Sequence, residues 1–528
     1  MAGPVDAASA KARLDGSEEV ACLDIREHGL YGEGHPFLAV PCPYSRLELD
    51  VAGLAPRAGV PIILVDDGDG LAERAAERLT RMGYRDVSWI AGGAPAFAGA
   101  GFTLFKGVNL PSKTLGELLE ETWHVPRISV DTLADWREEA RDFRLFDTRP
   151  ASEHAKMTVP GADCAPNGEL GHRADVLLAD GQTPVVVHCA GRTRSIVGAA
   201  SLALAGLPNP VFALENGTQG WALSGRALEH GRRAPPLPAL GPAGLAASRV
   251  RADALLGRAG LAEIDLAGLA RLAADPGRTL HVLDVRSAEE FAAGTIAGAV
   301  HAPAVQLVQA TDGWIATRRS RVVLLDDTGL RAAVAAVFLT CLGYEVAILR
   351  EVDAVAGERF ERADPPLGAE PMRLRKISAA EGVRLAASGQ ILLDLRASRA
   401  YRASHLPGAR WSIRPRLPAI APGARLVLVG DADVAGLAAR DLFARGARDI
   451  RHVEGEETDW RKAGLILAGD CGTPGDAEAI DHLAFVHDRH DGNLEAARLY
   501  LEWEQGLTRQ LDAAERAQYR IGPSPFGA

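Results

Sequence analysis

The sequence predicts an α/β protein of four tandem units, each a small parallel sheet with helices on both faces, followed by a helical tail. Three observations predict it. An apolar strand ending in Asp-x-Arg recurs four times, as CLDIRE (22–27), LFDTRP (145–150), VLDVRS (282–287) and LLDLRA (392–397). Each is followed by a second apolar strand: PIILVDD (61–67), PVVVHC (184–189), RVVLLDD (321–327) and RLVLVGD (425–431). Each second strand runs into a helix-forming stretch, LAERAAERLTRMGY, SIVGAASLALAGL, LRAAVAAVFLTCLGY and VAGLAARDLFARGA. Strands that alternate with helices imply a parallel sheet covered on both faces. The repeat recurs at domain spacing, longer than a solenoid period.

The elements follow in order. Between the two strands of each unit lies a loop with Gly, His or Pro: GEGHPFLAVP (32–41), KMTVPGADCAP (156–166), GTIAGAVHAP (294–303) and SHLPGARW (404–411). Two helices close on Gly-Tyr (83–84 and 343–344), a stop signal. A short last strand follows each helix: VSWIAGG, VFALENG, VAILREV and IRHVEGE. The units are expected at 10–108, 124–232, 254–364 and 374–468, with the tail at 471–528. LPSKTLGELLEETWHVP (110–126) and ADPPLGAEPMRLRKIS (363–378) read as linkers. RRAPPLPALGPAGLAASRVRAD (232–253) is the richest in Pro, Gly and Ala and reads as the divide between two halves. On that reading residues 1 to about 240 fold alone and keep most of the activity.

Composition narrows the function classes. A chain of 528 residues fits three to five domains at roughly 100–200 residues each. The 47% hydrophobic content suffices for packed cores, and the 5% aromatic content makes those cores aliphatic. A net charge of −11 argues against a nucleic-acid or acidic-membrane partner. No apolar run reaches the roughly 18 residues of a membrane span, and the first residues lack the apolar core of a signal peptide, so the expected compartment is the cytoplasm. Cysteines 22, 42, 164, 189, 341 and 471 are scattered without a CxxC pair. That spacing suits reduced thiols and no metal site.

One stretch carries the chemistry. In VVVHCAGRTRSIVGAA (185–200) a strand ends at His188 and Cys189, a short loop follows, and a helix begins near Ser195. A thiol there sits among backbone N–H groups at the positive end of a helix dipole, which favours the attacking thiolate. The loop follows the carboxyl end of a parallel strand, where such folds bind ligands. Arg192 and Arg194 add positive charge suited to an anion.

At these residues the chain resembles the rhodanese-like sulfurtransferases. The resemblance covers roughly residues 15 to 465 as four copies. Its specific part is Cys189-Ala-Gly-Arg-Thr-Arg-Ser195, with LENGTQGW (214–221) similar to the family's Gly-x-x-x-Trp close. It implies a sulfurtransferase that needs neither cofactor nor metal. Cys189 attacks the outer sulfur of thiosulfate or a related persulfide donor and passes it to a thiol or cyanide. Aligning strand ends puts Asp67, Asp327 and Asp431 at the cysteine's position in the other three copies, which are then inactive. Copies one and two together resemble the two-domain members, in which an inactive unit packs on an active one. Units three and four, or the tail, are left to dock a protein partner.

Roles are expected as follows. Ala190, Gly191, Arg192, Thr193, Arg194 and Ser195 bind substrate, their backbone N–H groups cradling the persulfide. Arg192 reads the donor's charge, while Arg194 braces the loop through backbone carbonyls. Thr193 and Ser195 hydroxyls donate to the sulfur, or Ser195 caps the helix. Asp147 and Arg149 are supporting, because the pair recurs in the copies that lack the loop cysteine. His188 and Trp221 are packing residues, and Cys22, Cys42, Cys164 and Cys341 are core or loop residues. Two alternatives stand beside this reading. A cysteine phosphatase or arsenate reductase shares the His-Cys opening, but its arginine lies six residues after the cysteine, where this chain has Ser195. A scaffold or partner-binding protein would explain three copies without the loop cysteine but not the one intact loop.

Overall fold

The structure is a computed structural model that describes residues 3–178, 180–350, 352–469, 472–484, 489–490 and 492–526. Cys471, where the expected tail begins, lies outside the described residues.

The described residues form four mainly parallel sheets, one per repeat. In unit two the strand order is Arg127–Ile128, Val211–Leu214, Val185–His188, Arg144–Asp147, Asp163–Cys164. The same path recurs in the other three units. The Val185–His188 strand is buried along its whole length, as expected of a parallel strand between two helical layers.

Strand register corrects the alignment of the cysteine position. Asp147 pairs with His188, Asp24 with Val65, Asp284 with Leu325 and Asp394 with Val429. The residues standing where Cys189 stands are therefore Asp66, Asp326 and Gly430, each one before the expected Asp67, Asp327 and Asp431. Asp66 accepts from the N–H groups of Gly68 and Ala72, both at 2.9 Å, and so satisfies the start of its own helix. Asp326 holds the buried Arg331 at 2.9 Å.

The expected division into halves fails, because one apolar core runs through units two and three. Leu115, Trp123, Phe146 and Val197 belong to it together with Leu283, Leu324 and Phe338. The segment expected to separate the halves becomes a helix, Pro242–Ala259, packed against the helix Leu330–Cys341. Ser248 on that helix bonds Thr328 at 2.9 Å and His172 at 3.0 Å. Unit one does not supply the core partner of unit two. It packs on unit four, where buried Arg414 bonds Glu48 and Asp441. It also takes Thr317–Arg318 of unit three as an antiparallel edge strand.

The segment 110–126 is likewise more than a linker. Leu110–Trp123 is a helix with eleven buried residues, and the tail runs along it. Thr508 bonds Glu121 at 2.8 Å, Tyr519 bonds the Pro111 carbonyl at 2.9 Å, and Trp123 bonds the Gly522 carbonyl at 2.8 Å. The tail helix Leu494–Gln505 starts at an Asn493 cap and buries Ala496, Ala497, Tyr500, Leu501 and Glu504. That buried face meets both this helix and the helix Gly217–Leu223 of unit two. The tail thus closes over the loop of unit two.

Candidate active site

The β-branched run Val185–Val187 forms the strand, and small residues let the chain turn at Cys189–Gly191 before the helix Thr193–Leu204. The turn is clipped to the next loop, with the Cys189 carbonyl accepting from the Thr218 N–H at 2.9 Å and that of Ala190 from the Gln219 N–H at 3.0 Å. Gly217 makes this approach feasible. Its φ is +51°, and a Cβ there would lie 2.1 Å from the Cys189 carbonyl oxygen.

Cys189 is 2% exposed and lies on the wall of a cavity of about 300 Å³. Its thiol donates to Ser195 Oγ at 3.8 Å, and that hydroxyl donates to the Arg192 carbonyl at 2.7 Å. Ser195 N–H also goes to Arg192, at 3.1 Å. Ser195 therefore ties the first helical turn together and does not cap the helix, since Arg192 occupies the cap position.

The two loop arginines are both held by carboxylates. Arg192, expected to read substrate charge, grips Glu117 through two bonds of 2.8 Å and also pairs with Glu120. The fork onto Glu117 and the single contact with Glu120, both charge-assisted, make it a brace between loop and inter-unit helix. Arg194 braces too, through Glu153 at 2.7 and 2.8 Å and not through backbone carbonyls. Burial pushes the Glu117 carboxyl up to about 7 even beside Arg192. The positive charge expected from the sequence is thus largely balanced locally.

Thr193 is turned from the sulfur. Its hydroxyl donates to Glu504 Oε1 at 2.7 Å. Tyr500 donates to the same oxygen at 3.4 Å and accepts from Lys113 Nζ at 2.6 Å. Lys113 sits 4.6 and 4.5 Å from the ring centres of Tyr500 and Trp503. Burial pushes its ammonium down to about 8, against the pull of Glu504. Lys113, Tyr500 and Glu504 line the cavity with Cys189, and Gln309 of unit three joins them. None of these four was singled out from the sequence. The polar residues at buried positions of LPSKTLGELLEETW and LEAARLYLEWEQ were the available signal, and nothing local connects them to Cys189.

The supporting residues follow one pattern in every unit. Arg149 donates to Asp147 at 2.9 and 2.7 Å, and Arg26 to Asp24, Arg286 to Asp284 and Arg396 to Asp394 make the same fork. In unit two Thr158 and His154 also contact Asp147. With His188 and Arg149 beside it, its carboxyl is held well below the usual range despite burial. His188 is fully buried, and burial pushes its imidazole down to about 4. Trp221 lies in the core of unit two, bonding the Ala227 carbonyl at 3.0 Å. Cys22, Cys42 and Cys341 are buried, and burial pushes the Cys164 thiol up to about 12.

Larger cavities, of about 890 and 440 Å³, lie between units one and three and beside Asp327 with no cysteine lining them, and one of about 600 Å³ is lined by Cys341. Among the described residues no group of three or more His, Cys, Asp or Glu is placed to hold a metal ion. No helix among them is long and apolar enough to cross a membrane.

Comparison with known proteins bears on this geometry. Residues 6–100, 129–224 and 267–351 match the family described as rhodanese-like domain. A solved structure of a thiosulfate sulfurtransferase from Pseudomonas aeruginosa is 36% identical, with 99% of this chain and 100% of that chain covered and a TM-score of 0.89. A rhodanese-like domain from Anabaena sp. is 28% identical over 20% of this chain and 78% of its own, with a TM-score of 0.19. A protein from Lactobacillus plantarum is 23% identical over 21% of this chain and 94% of its own, also with a TM-score of 0.19. No curated protein sequence matches the chain.

Proposed function

This chain belongs to the rhodanese-like domain family, and from that premise we propose that it is a sulfurtransferase working through a persulfide on Cys189. The observation that carries the proposal is Cys189 itself, at the carboxyl end of a parallel strand, in a loop that opens a helix and faces a polar cavity. The likeness to a thiosulfate sulfurtransferase along nearly the whole chain supports the same reading.

The donor is a small sulfane-sulfur anion such as thiosulfate. The Cys189 thiolate attacks its outer sulfur, the S–S bond breaks, and sulfite leaves with the bonding pair. The N–H groups of Ala190 to Arg194 face the new persulfide at a helix N-terminus. Ser195 N–H is already engaged with Arg192. Lys113 and Arg489, which line the same cavity, supply the cations that meet the donor, since Arg192 and Arg194 are each forked onto a carboxylate. Cyanide or a thiol then takes the outer sulfur and restores the thiolate. Unit two carries the reaction. Units one, three and four are inactive copies, and units three and four, or the tail, are where a protein partner docks.

The test is direct. Incubation with thiosulfate, digestion and mass spectrometry should place a one-sulfur gain on Cys189, and thiosulfate with cyanide should yield thiocyanate. A gain on Cys164 or Cys341 with Cys189 unmodified overturns the assignment.

A further inference from the structure

The cavity around Cys189 contains a carboxylate that donor binding does not explain. Glu504, on the tail helix, is 1% exposed. Its Oε1 is held by Thr193 at 2.7 Å and by Tyr500 at 3.4 Å. Its Oε2 is buried and has no hydrogen-bond partner among the described residues. That oxygen faces the catalytic loop, since a Cβ on Gly191 would lie only 3.1 Å from it. A buried acceptor left unpaired is costly, and a negative charge beside a site that admits an anion opposes donor binding. Such a group persists where a later step uses it.

We propose that Glu504 is the general base that activates a thiol acceptor in the second half-reaction. This rests on the Cys189 persulfide reading. The acceptor belongs to the class of protonated thiols, whose sulfur is a poor nucleophile until its proton leaves. Glu504 Oε2 takes the proton from the acceptor R–SH. The resulting thiolate attacks the outer sulfur of Cys189–S–SH, forming a new S–S bond. The old S–S bond breaks, its pair stays on Cys189 Sγ as thiolate, and R–S–SH departs with the proton it carried. Glu504 then releases the acceptor's proton to solvent. Thr193 and Tyr500 fix one carboxylate oxygen so that the other points at Gly191, the positional control that proton transfer demands. Sulfite at mildly alkaline pH is mostly a dianion with a free lone pair on its attacking sulfur, so it bypasses this step and returns thiosulfate.

The substitution Glu504→Gln tests this in the full-length protein. A glutamine Oε1 still accepts from Thr193, so the loop keeps its anchor while the base is lost. With thiosulfate as donor at mildly alkaline pH, the ratio of glutathione turnover to exchange of labelled sulfite into thiosulfate should fall about a hundredfold, the scale of a general base. The defect should shrink along a series of thiols of decreasing pKa, because these arrive as thiolates. A structural role would lower both acceptors together and leave the thiol series flat, and that result overturns the proposal. An unchanged ratio overturns it as well. The two readings fail differently: wild-type protein that forms no Cys189 persulfide and no thiocyanate refutes sulfur transfer itself, whereas active wild type with an unchanged ratio in E504Q refutes only the base.

Discussion

The hydroxyl of Thr193 donates to the carboxylate of Glu504 at 2.7 Å across 311 residues of chain. One contact thus joins the Cys189 loop of unit two to the tail, and with Lys113 and Tyr500 it forms a buried polar chain from inter-unit helix to loop. That polar chain is assembled from three separate parts of the sequence, and each part gives a prediction.

Removing the tail should remove activity. A chain of residues 1 to about 240 lacks Tyr500 and Glu504, and it also exposes the core shared with Leu324 and Phe338 of unit three. Gel filtration should show it aggregated or loosely folded, and the thiocyanate assay should find no more than traces of turnover.

Arg192→Ala should behave as loss of a brace. Glu117 would be left buried without its partner, which costs about 3–5 kcal/mol. Urea denaturation should show that loss, and kcat/KM should fall by a similar factor for thiosulfate and for an uncharged persulfide. A loss confined to thiosulfate would return Arg192 to charge reading.

Lys113→Met should raise the thiosulfate KM by about tenfold or more, the scale of a lost charge-assisted contact. In the wild type the Lys113 charge is lost as pH rises through about 8, so the KM for thiosulfate should climb above that pH and stay flat in K113M. Stability moves the opposite way. The folded pKa lies below the unfolded value of 10.5, so the unfolded chain binds the extra proton between them. The wild type should therefore gain stability relative to K113M as pH rises from about 8 to 10.5.

Acid should destabilise the fold through buried histidines. Burial pushes His172 and His188 down to about 4 from 6.5. The unfolded chain takes up these protons first, so their contribution is complete above pH 6.5 and lost as pH falls toward about 4. Each should add about 1.4 kcal/mol per pH unit across that window. Denaturation midpoints measured from pH 7 to 4 should fall accordingly, and His172→Gln should flatten the slope.

Local patterns in the sequence determined the architecture. The Asp-x-Arg strand is legible because its fork closes over two residues, as Arg149 on Asp147 and Arg26 on Asp24 show. The strand–loop–helix around Cys189 is legible because β-branched residues, small residues and a helix-forming run follow one another without a gap. Tertiary structure decided the rest. Strand register, set by hydrogen bonds between chains of similar composition, placed Asp66 and not Asp67 opposite the cysteine's position, a one-residue difference that apolar runs alone do not resolve. Arg192 reads as a substrate ligand until Glu117 comes within 2.8 Å of it. Lys113 and Glu504 read as surface charges on amphipathic helices, since most Lys and Glu are solvated. Only the packing of the tail against the helix Leu110–Trp123 buries them beside Cys189, and sequence periodicity carries no information about which helix meets which.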